Sequence, residues 1–319
     1  MTFKRCAVLD DDQQVALQLA DWSVLAPQVH TTAFHEHFDS EARLIETLQD
    51  FEMVVIMRER TPFPAQVLQH LPHLKLLVTS GMRNASIDLT AARNQGITVC
   101  GTSSSSQPPI ELTWALILGL ARHLHTESHH FKTSGPWQST LGTGLSGKHL
   151  GVLGLGKIGS QVARIGQAFG MQVSAWSQNL TPEKAREHGV TLAANKMALL
   201  EQADVITLHL VLSERTRGMI GQGELRSMKP NAHLINTSRA AIVNEHALIQ
   251  ALKENWIAGA GLDVYEQEPL PANHPLRTLP NVLGTPHLGY VTEENYRVYF
   301  QQAVEDIQAY LQGQPIRVL

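Results

Sequence analysis

Cysteine is almost missing from this chain: Cys6 and Cys100 are the only two in 319 residues. They are too few for a disulfide framework, and neither has a second cysteine at metal-ligand spacing, so a disulfide-stapled secreted domain is excluded and a reducing, cytoplasmic setting is expected. Excess charge of one sign is missing too. Against 29 Asp+Glu stand 25 Lys+Arg, a formal net charge of −4. Such a chain sets up no long-range field that would recruit a polyanion, so no nucleic acid partner is expected. The most membrane-like stretch, residues 112–121, is about half a bilayer span and reads as a buried helix, so no membrane partner is expected either. The opening MTFKRCAVLDDDQQ has only a short apolar run before three aspartates and does not read as a secretory signal. Internal repeats and low-complexity tracts are absent.

Histidine, by contrast, is plentiful, with 16 residues and a cluster at His123, His125, His129 and His130. No cysteine lies among them, and the expectation is a solvated helix end and no metal. A hydrophobic content of 43% in a chain of this length points to two compact domains. In the first hundred residues the runs CAVLD, VHTTAF, MVVIM, LKLLVTS and ITVC alternate with helix-length polar stretches, the βαβ rhythm of a parallel sheet. A Ser- and Pro-rich loop is expected at 101–109, leading into the apolar helix around Trp114. A second series, HLGVLG, MQVSAW, DVITLHL, AHLINTS, IAGAGLDV and NVLGTP, supplies six strands of a doubly wound domain. A helix from about residue 292 to 311 has no strand after it and is expected to return to the first domain.

Gly154-Leu155-Gly156-Lys157-Ile158-Gly159 follows the strand HLGVL and opens a helix. That context makes it a dinucleotide fingerprint: a tight turn, close backbone approach to a pyrophosphate, and close helix–strand packing. Unpaired N–H groups at the helix start then meet the diphosphate. Further cofactor-binding candidates are His209, in the run DVITLHL, and Thr237, beside Arg239.

Reducing a keto acid needs a cation to hold the carboxylate and polarise the carbonyl, and an acid to protonate the oxygen. Three strand ends offer such groups: Arg239 in NTSR, Glu268 in LDVYEQEP, and His287 in TPHLG. Ligands bind at that edge of doubly wound sheets. Two other features are less telling. Residues 58–62, RERTP, could project an arginine towards a ligand but read more readily as a solvent-facing charge run, and Trp137 in GPWQ could pack on the cofactor domain or cap a loop.

From GLGKIG through INTSRAAIVNEHAL and AGLDVYEQEP to TPHLG, and with SGMRNASID upstream, the chain resembles the D-isomer-specific 2-hydroxyacid dehydrogenases. The resemblance implies an α/β fold of two doubly wound parallel-sheet domains. A Rossmann-type NAD(P) domain (102–289) would be inserted in a flavodoxin-like substrate domain (1–101 and 290–319). It implies that Arg239 binds the substrate carboxylate and keto oxygen, that His287 is the general acid/base, and that Glu268 hydrogen-bonds the imidazole. A neighbouring carboxylate favours imidazolium, and a planar fork suits arginine to a carboxylate beside a carbonyl. Asp263 matches a position close to the nicotinamide. Ser80, Gly81 and Met82 match a loop whose backbone amides receive the substrate carboxylate.

The implied activity is reduction of a small 2-keto acid to the D-2-hydroxy acid, glyoxylate/hydroxypyruvate reductase-like, by a homodimer. Phosphoglycerate dehydrogenases and NAD-sensing corepressors carry related motifs and stand as alternatives; formate dehydrogenases match less well. In NAD-binding relatives an acidic residue ends the second strand of this domain and repels a 2′-phosphate. Here MQVSAW ends in Ser177, Gln178 and Asn179, hydrogen-bond donors with no carboxylate among them. NADPH is therefore expected to be accepted at least as well as NADH.

Overall fold

Five apolar runs of the first hundred residues form one sheet: β1 (Lys4–Val8), β2 (Val29–Ala33), β3 (Met53–Ile56), β4 (Leu76–Thr79) and β5 (Thr98–Gly101). The computed structural model describes residues 3–319. Every pairing is parallel and the order is β2-β1-β3-β4-β5, the flavodoxin-like order. Each residue of β3 and β4 is buried, which is why these strands read as continuous apolar runs without alternation. Helix starts are fixed by side chains that accept from orphan N–H groups: Ser40 caps the helix Glu41–Leu48 and Asp88 the helix Leu89–Asn94. Residues up to Ser105, together with Val291–Leu319, form one compact unit.

The last helix, Glu293–Leu311, is capped by Thr292 and packs on β4 with Tyr299, Phe300 and Ile307 buried. Burial of each such side chain contributes about 2–3 kcal/mol. Beyond it the chain runs antiparallel to β5, through a Cys100–Val318 bridge and the bonds Gly101 N to Arg317 O and Leu319 N to Val99 O, both 2.9 Å. Arg317 anchors this tail: its Nε lies 2.9 Å from the buried Asp306 Oδ1 and its Nη2 2.8 Å from Glu305. Burial pushes the Asp306 carboxyl up to about 7, against the opposing pull of Arg317.

The second unit, Ser106–Tyr290, carries seven parallel strands. They are β6 (His149–Leu153), β7 (Gln172–Trp176), β8 (Thr191–Leu192), β9 (Val205–Leu208), β10 (His233–Asn236), β11 (Gly259–Leu262) and β12 (Val282–Gly284). The order is β12-β11-β10-β9-β6-β7-β8. The chain therefore starts in the middle, winds outward to β8, and crosses back to β9. The six expected strands are present, and β8 is an addition: two residues at the sheet edge are too short to leave a periodic signal.

A second difference lies in the expected loop at 101–109. The helix Gln107–Ala121 begins inside it, with prolines in its first turn. Those first N–H groups have no helical partner, so Pro108 and Pro109 forfeit nothing there. This helix packs on β10, on β11 and on the helix Lys157–Ala168. No helix among the described residues is long and apolar enough to cross a membrane. The helix Leu124–Lys132, where the histidines cluster, buries none of its side chains. Glu127 orders the loop after it by accepting from the amides and hydroxyls of Ser139 and Thr140. On this arm Trp137 lies against Phe131, ring centroids 6.3 Å apart, and neither packs into a core: they are 81% and 73% exposed.

Candidate active site

The fingerprint glycines are glycine for three different reasons. Gly154 follows β6 at φ +101, and a Cβ there would stand 2.5 Å from the His209 carbonyl oxygen. At Gly159 a Cβ would collide with the carbonyl of Gly154. Gly156 has an ordinary φ of −87, and no protein atom lies within 4 Å of where its Cβ would be. Nothing inside the protein fills the space in front of that backbone, which leaves it open to a group that approaches from outside. Gly156 is also the N-cap of the twelve-residue helix Lys157–Ala168, with no side chain capping its first amides. Lys157 and Ile158 begin that helix, while Leu155 is buried in the core. The donor set fits a pyrophosphate. It sits at the end of β6, whose neighbour β9 is reached only after the crossover, so the turn lies at the topological switch point.

The other cofactor candidates line the same sheet edge. His209 follows β9, its Nε2 lies 2.9 Å from Thr207 Oγ1, and burial drives its pKa down to about 4, leaving a neutral ring. Ser177 is half-buried and Gln178 exposed after β7. Lys184, on the next helix, is paired with Glu187 at 3.1 Å. The Thr237 hydroxyl is already within 2.8 Å of the Thr113 hydroxyl.

Arg239 is presented by a turn that Asn236 holds. This buried side chain donates to the Arg239 carbonyl and accepts from the Ser238 amide, both at 3.1 Å. After β11 comes Glu268, whose Oε1 accepts from the Tyr265 amide at 2.9 Å and whose Oε2 lies 2.6 Å from His287 Nδ1. Burial alone would raise the Glu268 carboxyl. The His287 hydrogen bond and charge, the Tyr265 amide and the Arg239 charge outweigh it and hold the group below its usual value. An ionised carboxylate only accepts, so the proton of that bond sits on Nδ1 and Nε2 is the ring atom that faces other chemistry.

His287 itself adopts φ +55, a left-handed conformation costing a non-glycine residue roughly 1–2 kcal/mol and held by its surroundings. Asp263, fully buried at the end of β11, supplies the hold by accepting from Thr285 Oγ1 (2.6 Å), Leu288 N (2.7 Å) and Gly289 N (2.8 Å). Tyr290 closes one side, edge-on to the imidazole at 5.5 Å. Arg239, Glu268 and His287 thus come from three neighbouring strands of one sheet. Asp263 was expected near a nicotinamide; the structure engages both of its oxygens with the histidine loop.

In the first unit the loop after β4 departs from the expected use of its amides. Ser80 N donates to Ile56 O and Gly81 N to Thr102 Oγ1, while Met82 N makes no hydrogen bond among the described residues. The amides of Ser80 and Gly81 are thus already engaged within the protein. Gly81 lies at φ +89 with the Arg58 guanidinium packed where a Cβ would point. The RERTP run is not a solvent-facing charge run. Arg60 bonds to Asp10 O and to the Asp12 carboxylate, and buried Thr61 to the Asp10 carboxylate, because the aspartates that follow β1 offer both kinds of acceptor beside the end of β3. Trp137, expected to pack or to cap, is exposed. Among the described residues no three His, Cys, Asp or Glu side chains gather to hold a metal.

Asn236, Tyr265 and Tyr290 were not singled out in the sequence. Each lies within two or three residues of a candidate. The Tyr265 hydroxyl crosses to Thr285, a contact with no signature in one-dimensional order, whereas Asn236 bonds locally to Ser238 and Arg239, and an asparagine opening a turn was the available signal.

The family model for the D-isomer specific 2-hydroxyacid dehydrogenase NAD-binding domain matches residues 114–289. The glyoxylate reductase of Aeropyrum pernix is 40% identical over 257 residues, 77% of this chain and 76% of that protein. The D-3-phosphoglycerate dehydrogenase of Methanocaldococcus jannaschii is 37% identical over 86% of this chain, which spans about half that protein's length (52%). Among solved structures, the phosphoglycerate oxidoreductase of Vibrio cholerae O395 superposes with a TM-score of 0.91 at 39% identity, covering 98% of this chain and 100% of the other. With the Rossmann-like and parallel-sheet domains described above, these matches place the chain in the D-isomer-specific 2-hydroxyacid dehydrogenase family, as an NAD(P)-dependent oxidoreductase of small keto and hydroxy acids.

Proposed function

We propose that this enzyme reduces a small unphosphorylated 2-keto acid of the glyoxylate or hydroxypyruvate kind to the D-2-hydroxy acid. The observation that carries the chemistry is the 2.6 Å contact of Glu268 with His287 Nδ1, which leaves Nε2 to give a proton to the carbonyl oxygen. The cofactor, when bound, supplies the hydride. Arg239 grips the carboxylate and polarises the keto oxygen, and Asp263 holds the histidine loop. Gly154, Gly156 and Gly159 admit the pyrophosphate.

The unphosphorylated substrate is supported by the glyoxylate reductase matched over three-quarters of its length. A phosphorylated substrate is the second reading, favoured by the Vibrio likeness. Purified enzyme is expected to consume NAD(P)H with glyoxylate or hydroxypyruvate at a kcat/KM more than about tenfold above that with 3-phosphohydroxypyruvate, a difference of roughly 1.4 kcal/mol. The reverse order selects the second reading. Absence of turnover with the whole panel, pyruvate and longer keto acids included, would make the chain a dinucleotide-sensing binding protein.

NADPH is expected to serve at least as well as NADH. No carboxylate at Ser177, Gln178 or Asn179 repels a 2′-phosphate, although Lys184, bound to Glu187, provides no preformed clamp. Comparing kcat/KM for both reduced cofactors with one keto acid decides this, and an NADH preference beyond about tenfold overturns it.

A homodimer built largely through the cofactor domain accounts for the ordered but exposed arm bearing Phe131 and Trp137, since a lone copy would leave both rings in water. Light scattering at micromolar concentration should give twice 35.2 kDa. A single-chain mass contradicts it.

A further inference from the structure

We infer that Tyr265 is a positioning residue: it ties the ends of β11 and β12 together and so holds Glu268 and His287 at hydrogen-bonding distance. This rests on reading the two as the acid–base pair. Tyr265 reaches both partners by different atoms. Its backbone N–H donates to Glu268 Oε1 at 2.9 Å. Its hydroxyl lies 3.1 Å from Leu262 O, at the end of β11, and 3.1 Å from Thr285 O, just past β12 and two residues before His287. One phenol proton shared between two carbonyls is a three-centre bond. The Leu262 carbonyl also accepts from Thr285 N at 2.9 Å, so the hydroxyl reinforces the point where the strands diverge towards the two reacting side chains.

The fit around the phenol is specific. A Cβ on Gly284 would stand 2.7 Å from the Tyr265 oxygen, so glycine at that position makes room for the hydroxyl. Burial pushes the phenol up to about 12, with Asp263 and Glu268 adding to the rise and Arg277 opposing it. It therefore remains a donor throughout the working range. His287 is left-handed and needs support from its surroundings. Asp263 braces the loop around it, and Tyr265 braces the carbonyl side before it. A phenylalanine would keep the packing and lose the tie.

The test is Tyr265→Phe, with Glu268→Gln as the reference for the pair. Kinetics run from pH 5.5 to 9.5, and the His287 ring is titrated by NMR. The expected result is a folded enzyme whose kcat falls roughly 5- to 30-fold, the scale of one buried hydrogen bond. KM and cofactor affinity should change less than twofold. The pH profile and the His287 midpoint should both move in the direction that Glu268→Gln moves them, by a smaller amount. Gly284→Ala, which presses on the hydroxyl, should shift the profile the same way, and Gly284→Ala with Tyr265→Phe should restore part of the loss.

If Tyr265→Phe does not fold, the shift in Gly284→Ala alone decides the matter. A purely structural role would lower Tm or the active fraction and leave the profile and midpoint in place, and that overturns the inference. If Glu268→Gln itself leaves both unmoved, the acid–base reading fails instead.

Discussion

Replacing His287 with alanine should lower keto-acid reduction by about two to four orders of magnitude, the range of a positioned general acid, with NAD(P)H affinity nearly unchanged. Without the imidazole nothing on β12 can pass a proton to the developing alkoxide, whereas the glycine turn belongs to β6 and does not contact it. Alanine also fits a left-handed backbone poorly, so His287→Asn is the better second variant, because asparagine tolerates that conformation. Near wild-type turnover in either would sink the proposed role.

The same replacement has a stability signature. The Glu268 carboxyl is held low partly by His287. A folded-state value below the unfolded one adds stability above about pH 4.3 that is lost as pH falls through the folded value. The Tm deficit of His287→Ala should accordingly be visible near pH 6 and shrink towards pH 3.

Arg239→Lys should raise KM for the keto acid about 10- to 100-fold, the scale of a lost charge-assisted pair. Lysine keeps the charge and loses the fork. Because the charge by which Arg239 holds Glu268 low is one that lysine keeps, the pH profile should stay in place while saturation weakens. That split separates substrate grip from acid–base tuning. Unchanged saturation in Arg239→Lys would remove the residue from carboxylate binding.

Much of this architecture was legible because buried parallel strands announce themselves as unbroken apolar runs. Every strand from β1 to β12 was visible except β8, whose two residues carry no pattern. The glycine turn was visible because its three constraints fall at fixed offsets. Arg239, Glu268 and His287 were recognisable as chemistry-bearing residues after strands, although only the resemblance assigned them roles. What stayed hidden was lateral. The hydroxyl of Tyr265 crosses from β11 to β12, both oxygens of Asp263 embrace the loop of His287, and Thr102 takes up the amide of Gly81. These contacts join residues about 20 positions apart, and a single sequence does not say which strands are neighbours. The RERTP turn failed for a related reason: charged residues look solvent-bound until the aspartates that face them across the strand ends are known.

The first unit is discontinuous, and this has a consequence for the order of synthesis. The helix that covers β4 and the tail that runs along β5 lie beyond residue 290, so a ribosome delivers them only after the whole dinucleotide domain. Until then the flavodoxin-like sheet has a bare face and an open edge, the arrangement most prone to pairing with another chain. The inserted domain can mature while nascent; the domain that begins the chain is the last to be finished.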